Sequence, residues 1–233
     1  MSVHKPNFVV VTESLPKNSP YPKAYFQQVE GYTSLVNTKY KHEFFVYVHL
    51  LLKHTEVNDP LALSINRCLV IDVKIPSSTN SIRITAVYRS PIVNELSPNN
   101  NANLLQYLQN VSTISAGVLV VGDFNLPSID QKNQITSLSE QSFEHHFLQN
   151  LQNMYLCKHI QEPTQFWDDL TPSVFDLVIT KSPDNVRNIE ILPPLGKSDH
   201  TIVKLLLKCS GDDSTPQKQI LKYNYTKDEY ESF

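Results

Sequence analysis

The 233-residue sequence predicts an α/β fold, and three observations carry that prediction. Short apolar or β-branched runs, such as Phe8–Val11, Ile82–Tyr88 and Val118–Val121, read as buried strands. Two stripes of apolar residues at helical spacing read as helices between them. Gly, Pro and Asn clusters then separate the runs into elements.

The elements follow in order. Phe8-Val9-Val10-Val11 is a strand delivering Glu13 at its end. Leu15 to Tyr25 holds Pro16, Pro20 and Pro22 and reads as a loop. Phe44 to Leu52 and Cys68 to Ile75 are strand candidates, and Ile82 to Tyr88 is a strand leading into Arg89-Ser90-Pro91. Asn94 to Asn103 reads as a polar loop. Leu104, Leu105, Leu108 and Val111 mark one helix. Phe143, Phe147, Leu151 and Met154 mark a second, with Ser139 as its N-cap. His145 and His146 are adjacent on it, about 100° apart, and so are surface or packing residues rather than joint metal ligands.

Three polar sites sit at strand ends. Gly122-Asp123-Phe124-Asn125 closes the run Val118–Val121. In an extended segment residues i and i+2 share a face, so Asp123 and Asn125 are expected to meet one phosphate together; both are also ordinary turn residues. Asp176 begins the apolar run Asp176–Thr180, and a carboxylate there is costly unless paired. His200, in Ser198-Asp199-His200, is a natural partner, because an acid fixes the ring and favours imidazolium. On that reading Asp176 orients His200 and Asp199 is free to bind a metal. The competing reading makes Asp176 a water-facing edge acid and His200 a cap of the strand Ile202–Leu207.

Composition bounds the partners. Net charge is -3, which supplies no basic footprint for a polyanion. Arg67, Arg89, Lys181, Arg187 and Lys197 could form a local rim, although scattered solvated charges are the simpler reading. Cys68, Cys157 and Cys209 are few, distant and odd in number, which suits reduced thiols in an intracellular protein. The N-terminal residues lack a secretory apolar stretch, and the most apolar run, Phe44–Leu52, is too short to span a bilayer. Gly211 to Pro216 reads as a linker, and Thr226-Lys227-Asp228-Glu229 has the form of a capping box that starts a helix.

Taken together, Thr12-Glu13-Ser14, Val87-Tyr88-Arg89-Ser90-Pro91, Gly122-Asp123-Phe124-Asn125, Phe175–Thr180 and Ser198-Asp199-His200 resemble, in order, the motifs of the endonuclease/exonuclease/phosphatase superfamily. The phrases Lys5–Glu13 and Ala86–Pro91 look most like the endonuclease domain of non-LTR retrotransposon polyproteins. The resemblance implies a deoxyribonuclease I-like fold of two packed β-sheets flanked by helices. It implies such a domain over 1–208, then a linker and helix start over 209–233 leading to a downstream reverse transcriptase. It further implies an earlier strand bearing an Asn, which no residue here matches, so the expectation is a domain lacking its first strand and N-terminally truncated. The usual Gly pair is replaced by Glu43-Phe44-Phe45, and these bulky residues are expected to disturb packing there.

The implied activity is Mg²⁺- or Mn²⁺-dependent hydrolysis of a phosphodiester, nicking duplex DNA, inside the cell and in the nucleus if chromosomal DNA is the target; the short apolar run gives no expectation of a membrane partner. By the same resemblance Glu13 and Asp199 hold the metal. Asp123 orients or deprotonates water, Asn125 holds phosphate or water, His200, steered by Asp176, acts on the phosphate as acid, base or electrostatic stabiliser, and Tyr88 donates a hydrogen bond to the phosphate or leaving oxygen; the competing readings make Glu13 a cap after its strand and Tyr88 a packed aromatic. An inactive relic or interaction module, and another phosphodiesterase or phosphatase of the superfamily, are the alternatives.

Overall fold

Alternation of apolar side chains along three long strands organises the molecule. The computed structural model describes residues 5–12, 23–36, 45–65, 67–76, 78–92, 99–166, 171–196 and 198–208. Its elements are β1 (Phe8–Val11), α1 (Lys23–Gln27), β2 (Tyr32–Val36), β3 (Phe45–His49), β4 (His54–Glu56), α2 (Pro60–Ser64), β5 (Cys68–Lys74) and β6 (Ser81–Tyr88). After these come α3 (Asn100–Thr113), β7 (Gly117–Asp123), β8 (Ile129–Asp130), β9 (Ile135–Thr136), α4 (Phe143–Asn153) and β10 (Cys157–Lys158). The last three are β11 (Asp176–Thr180), β12 (Val186–Leu192) and β13 (Ile202–Leu207).

A six-stranded sheet runs in the order β10-β11-β7-β6-β5-β4. All its pairs are antiparallel except β6 with β7, and α3 makes that parallel crossover. Its long central strands have two apolar faces. Val118 and Val120 of β7 join Leu104, Leu108, Phe147 and Leu151 in a core under the helices. Leu119 and Val121 turn the other way, toward a second layer that contributes Val46 and Val48 of β3. That second layer comprises the three-stranded sheet β1-β3-β2 and the pair β12-β13, whose Val203 and Leu205 pack on the same core. Two packed β-layers with helices on the outer face agree with the expected architecture.

Several local expectations change. Tyr25, placed in a loop by the prolines before it, lies in α1. The Asn-rich stretch becomes helical earlier than expected, with α3 beginning at Asn100. The cap of α4 is Ser142 rather than Ser139: the Ser142 hydroxyl accepts from the His145 amide, whereas Ser139 only supplies a carbonyl to the turn before it. Of Glu43-Phe44-Phe45, the first two lie outside the described residues; Phe45 is fully buried without disturbance, its ring stacking at 6.3 Å on Phe26 and 5.8 Å on Tyr47. The strands β2, β4, β8, β9, β10 and β12 have no counterpart in the sequence reading, being short or, in β12, interrupted by Arg187, Asn188 and Glu190. The linker and capping box of 209–233 lie outside the described residues. Among the described residues no helix is long and apolar enough to cross a membrane.

Candidate active site

The site is built on one rung of the large sheet. Tyr88 pairs with Asp123 at the end of β6 and β7, and Asp123 pairs with Asp176 across β7 and β11. Three side chains from distant segments thus stand side by side, each last or first in its strand. Gly122 makes the rung possible: its φ is +138°, and a Cβ there would lie 1.9 Å from the Val87 carbonyl oxygen of the adjacent strand. The chain then leaves the sheet. The Phe124 amide donates to the Phe175 carbonyl at 2.9 Å, and the buried Phe124 ring packs 5.6 Å from Phe147 of α4.

The expected shared face of Asp123 and Asn125 does not form, because the segment is not extended. Asn125 has φ +48°, and its amide donates back to Asp123 Oδ1 at 2.9 Å. Its side-chain Nδ2 donates to the Arg89 carbonyl at 2.9 Å. Asp123 is 2% exposed and Asn125 is 9% exposed, at the floor of the site.

Arg89 locks this turn. Its Nη1 donates to the Asn125 carbonyl at 3.0 Å, its Nε donates to Asn101 Oδ1 at 3.0 Å, and its guanidinium lies 4.6 Å over the Phe143 ring. Burial lowers its pKa from the usual arginine value, against the opposing charges of Glu144 and Asp123. Arg67 is also buried, 4.8 Å over the Tyr88 ring. Lys181 donates to the Ile114 carbonyl. Scattered solvation therefore describes Arg187 but not Arg67, Arg89 or Lys181, which are structural; Lys197 lies outside the described residues. Sequence reasoning missed Arg89 as a site residue, although its place directly after a strand ending in Tyr88 was the available signal. Tyr88 itself is 3% exposed and sits in the core between the layers.

The second wall is the loop before β13. His200 Nδ1 lies 2.8 Å from Asp176 Oδ2, so the expected pair forms: Asp176 is not an acid spent on water, and the His200 side chain is spent on Asp176 rather than on capping the following strand. Burial alone would lower the His200 pKa, but the hydrogen bond and charge of Asp176, helped by Asp123 and Asp199, push it up to about 9. The ring is thus imidazolium at neutral pH, with both nitrogens protonated. Asp199 is not free: its Oδ2 accepts from Gln165 Nε2 at 2.8 Å.

Residues Thr164–Phe166 strap this loop to β11. Thr164 Oγ1 accepts from the amides of Asp176 at 3.0 Å and Phe175 at 3.2 Å, while its carbonyl accepts from the Thr201 amide at 2.8 Å. The Phe166 amide donates to the Asp199 carbonyl at 2.9 Å. Neither Thr164 nor Gln165 carries a motif legible from composition or period. Glu13 follows Thr12 at the end of β1 and lies outside the described residues. Among the described residues no group of three or more His, Cys, Asp or Glu is placed to cage a metal. His145 and His146 stack edge to face on α4, outside this set. A concavity of about 370 Å³ lined by Tyr25, Phe26, Gln28, Val29 and Tyr47 shares no residue with this cluster; the polar convergence, not the cavity, identifies the site.

Comparison with known proteins agrees with this arrangement. A family model described as endonuclease-reverse transcriptase matches residues 82–204, which hold the whole rung and both loops. The endonuclease domain of TRAS1, a telomere-specific non-LTR retrotransposon, superposes with TM-score 0.61 at 15% identity, covering 87% of this chain and 86% of that one. A 3'-5' exonuclease (NExo) from Neisseria meningitidis gives TM-score 0.58 at 18% identity, over 87% and 89%. The 3' phosphatase form of NExo from Neisseria, bound to product DNA hairpin, gives 0.59 at 17% identity, over 87% and 89%. Identities this low show the fold alone. Comparison with curated protein sequences finds no match. With more than half of its length matched by the family model and a sheet end arranged as described, the chain belongs to the endonuclease-reverse transcriptase family of the endonuclease/exonuclease/phosphatase superfamily.

Proposed function

We propose that this chain is a metal-dependent phosphodiester hydrolase that nicks duplex DNA. The observation that carries the reading is the Asp176–His200 pair at 2.8 Å, whose imidazolium is also biased by Asp123 and Asp199. A cation held among carboxylates suits an anionic substrate whose charge rises as a bond breaks. The donor chemistry fits a hard divalent ion: Asp199 offers a carboxylate, Glu13 is expected to offer another, and Mg²⁺ needs only one or two while keeping several waters. Such an ion supplies charge neutralisation at the phosphate and the leaving oxygen.

The chain's own groups do the rest. His200, held by Asp176, donates a hydrogen bond from Nε2 to a phosphate oxygen and stabilises its charge. Asp123 takes the proton of the attacking water. Asn125 Oδ1 accepts a hydrogen bond that orients that water, while Nδ2 stays on Arg89. The nuclease neighbours support DNA as substrate, and the family description supports a parent polyprotein that carries a reverse transcriptase; action on chromosomal DNA would place it in the nucleus. The exonuclease and 3' phosphatase neighbours favour a second reading, removal of groups at DNA ends.

Supercoiled plasmid nicking with Mg²⁺ tests the proposal, with EDTA and an Asp199→Ala/His200→Ala double variant as controls. Metal-dependent nicking that falls by roughly 10²-fold or more in the variant is expected. Release of phosphate from a 3'-phosphorylated hairpin without nicking would replace the first reading by the second. Neither activity from a folded protein would leave the inactive module.

A further inference from the structure

We propose that Gln165 is a positioning residue that sets the Asp199 carboxylate for a divalent ion; the inference rests on the metal-dependent reading above. Gln165 is 7% exposed, and its backbone is held on both sides. Its amide donates to the Ser173 carbonyl at 3.0 Å, the Ser173 amide donates back at 3.1 Å, and it forms an isolated bridge to His200. The residues flanking it grip the same loop, through Phe166 to Asp199 and Thr164 to Thr201. The side chain therefore leaves a backbone that cannot shift, and its Nε2 meets Asp199 Oδ2 at 2.8 Å.

The chemistry of the donor matters. A carboxylate rotates freely unless one oxygen is fixed, and fixing Oδ2 leaves Oδ1 as the oxygen for an ion. An amide fixes it without neutralising it. An Arg or Lys in that place would bring a positive charge that competes with the cation. Burial of the Gln165 amide strengthens the effect, because that donor does not readily exchange its bond for water. Partners of this kind typically change metal affinity by about 10–100-fold when removed.

The test uses the full chain and Mn²⁺ alone, followed by isothermal titration and by Mn²⁺ spin resonance, with plasmid nicking as a second readout. Gln165→Met keeps the length and removes the donor. It is expected to weaken Mn²⁺ binding about 10-fold or more and to raise the metal concentration for half-maximal nicking by a similar factor. The loss should fall more on the metal concentration required than on the rate at saturating metal, as expected where positioning rather than chemistry is lost. Asp199→Asn should weaken binding less in the Gln165→Met protein than in the unsubstituted chain, since one acts through the other. Where Gln165→Met does not fold, Gln165→Asn, which withdraws the amide by one methylene, is the variant, with the same direction expected. Unchanged Mn²⁺ binding in a folded variant, or fully additive losses with Asp199→Asn, would overturn the role of Gln165 alone. Failure of the unsubstituted chain to bind Mn²⁺ would instead overturn the metal-dependent reading and this inference with it.

Discussion

The two walls of the site are made in opposite ways. Tyr88, Asp123 and Asp176 share a rung because three strands are in register, so their spacing is set by backbone hydrogen bonds and by the absence of a Cβ at Gly122. Asp199 and His200 sit on a loop that adds only an isolated bridge to Gln165; backbone bonds from Thr164 and Phe166 carry it, while the side chains of Thr164, Gln165 and Asp176 anchor that strap to β11 and aim the carboxylate and the ring. A rung tolerates loss of a side chain and fails when the backbone is forced apart. A strapped loop behaves the other way. The contrast explains why the rung is rich in motif residues while its strap reads as unremarkable polar sequence.

Four perturbations would break or sharpen that contrast. The largest effect is expected from Gly122→Ala, which puts a methyl group into the Val87 carbonyl at a φ of +138°. Loss of about 3 kcal/mol or more in chemical denaturation is the expected outcome, and a loss below ~1 kcal/mol would show that the rung is not pinned there. Thr164→Val comes next: it removes an acceptor from two backbone amides and should cost about 2 kcal/mol. Its signature is faster hydrogen exchange confined to the Asp176 strand end and the His200 loop, and uniform exchange across the domain would refute the strap. Arg89→Lys should cost about 1 kcal/mol, because an ammonium cannot reproduce the fork to Asn101 and Asn125. Retention of full stability with Lys would reduce Arg89 to a point charge.

The fourth perturbation is pH, applied to the metal-free protein. The His200 pKa is raised in the folded state, to about 9, from the 6.5 of a free ring. Its contribution to stability is therefore fully present below pH 6.5 and is lost as pH rises through about 9. Denaturation in EDTA across that window should show stability falling with pH, and the fall should disappear in Asp176→Asn. An NMR titration of the His200 ring in the same variant should move back toward 6.5; a ring that still titrated near 9 would assign the shift to Asp123 and Asp199 instead.

Much of this site is legible in the sequence. Asp123, Asp176 and His200 announce themselves because a lone acid at the end of an apolar run needs a partner, and the pairing of Asp176 with His200 follows from that need. The shared face of Asp123 and Asn125 was misread for a specific reason. Period-2 reasoning holds only in extended chain, and Asn125 turns left-handed, as Asn tolerates. Arg67 and Arg89 were misread as solvated because a basic residue shows its cation in sequence but not its acceptors or the ring beneath it.

The sequence by itself determined the strand and helix periods, the α/β class and the residue types that meet at the strand ends, since these depend on side-chain chemistry over a few neighbouring positions. Only the tertiary structure decided that Asp199 is held by Gln165, that Arg89 is a strut and that Tyr88 is buried. Those facts depend on contacts between segments many residues apart, where hydrogen-bond geometry and exclusion of water set each polar group's partner, and no local pattern encodes that choice.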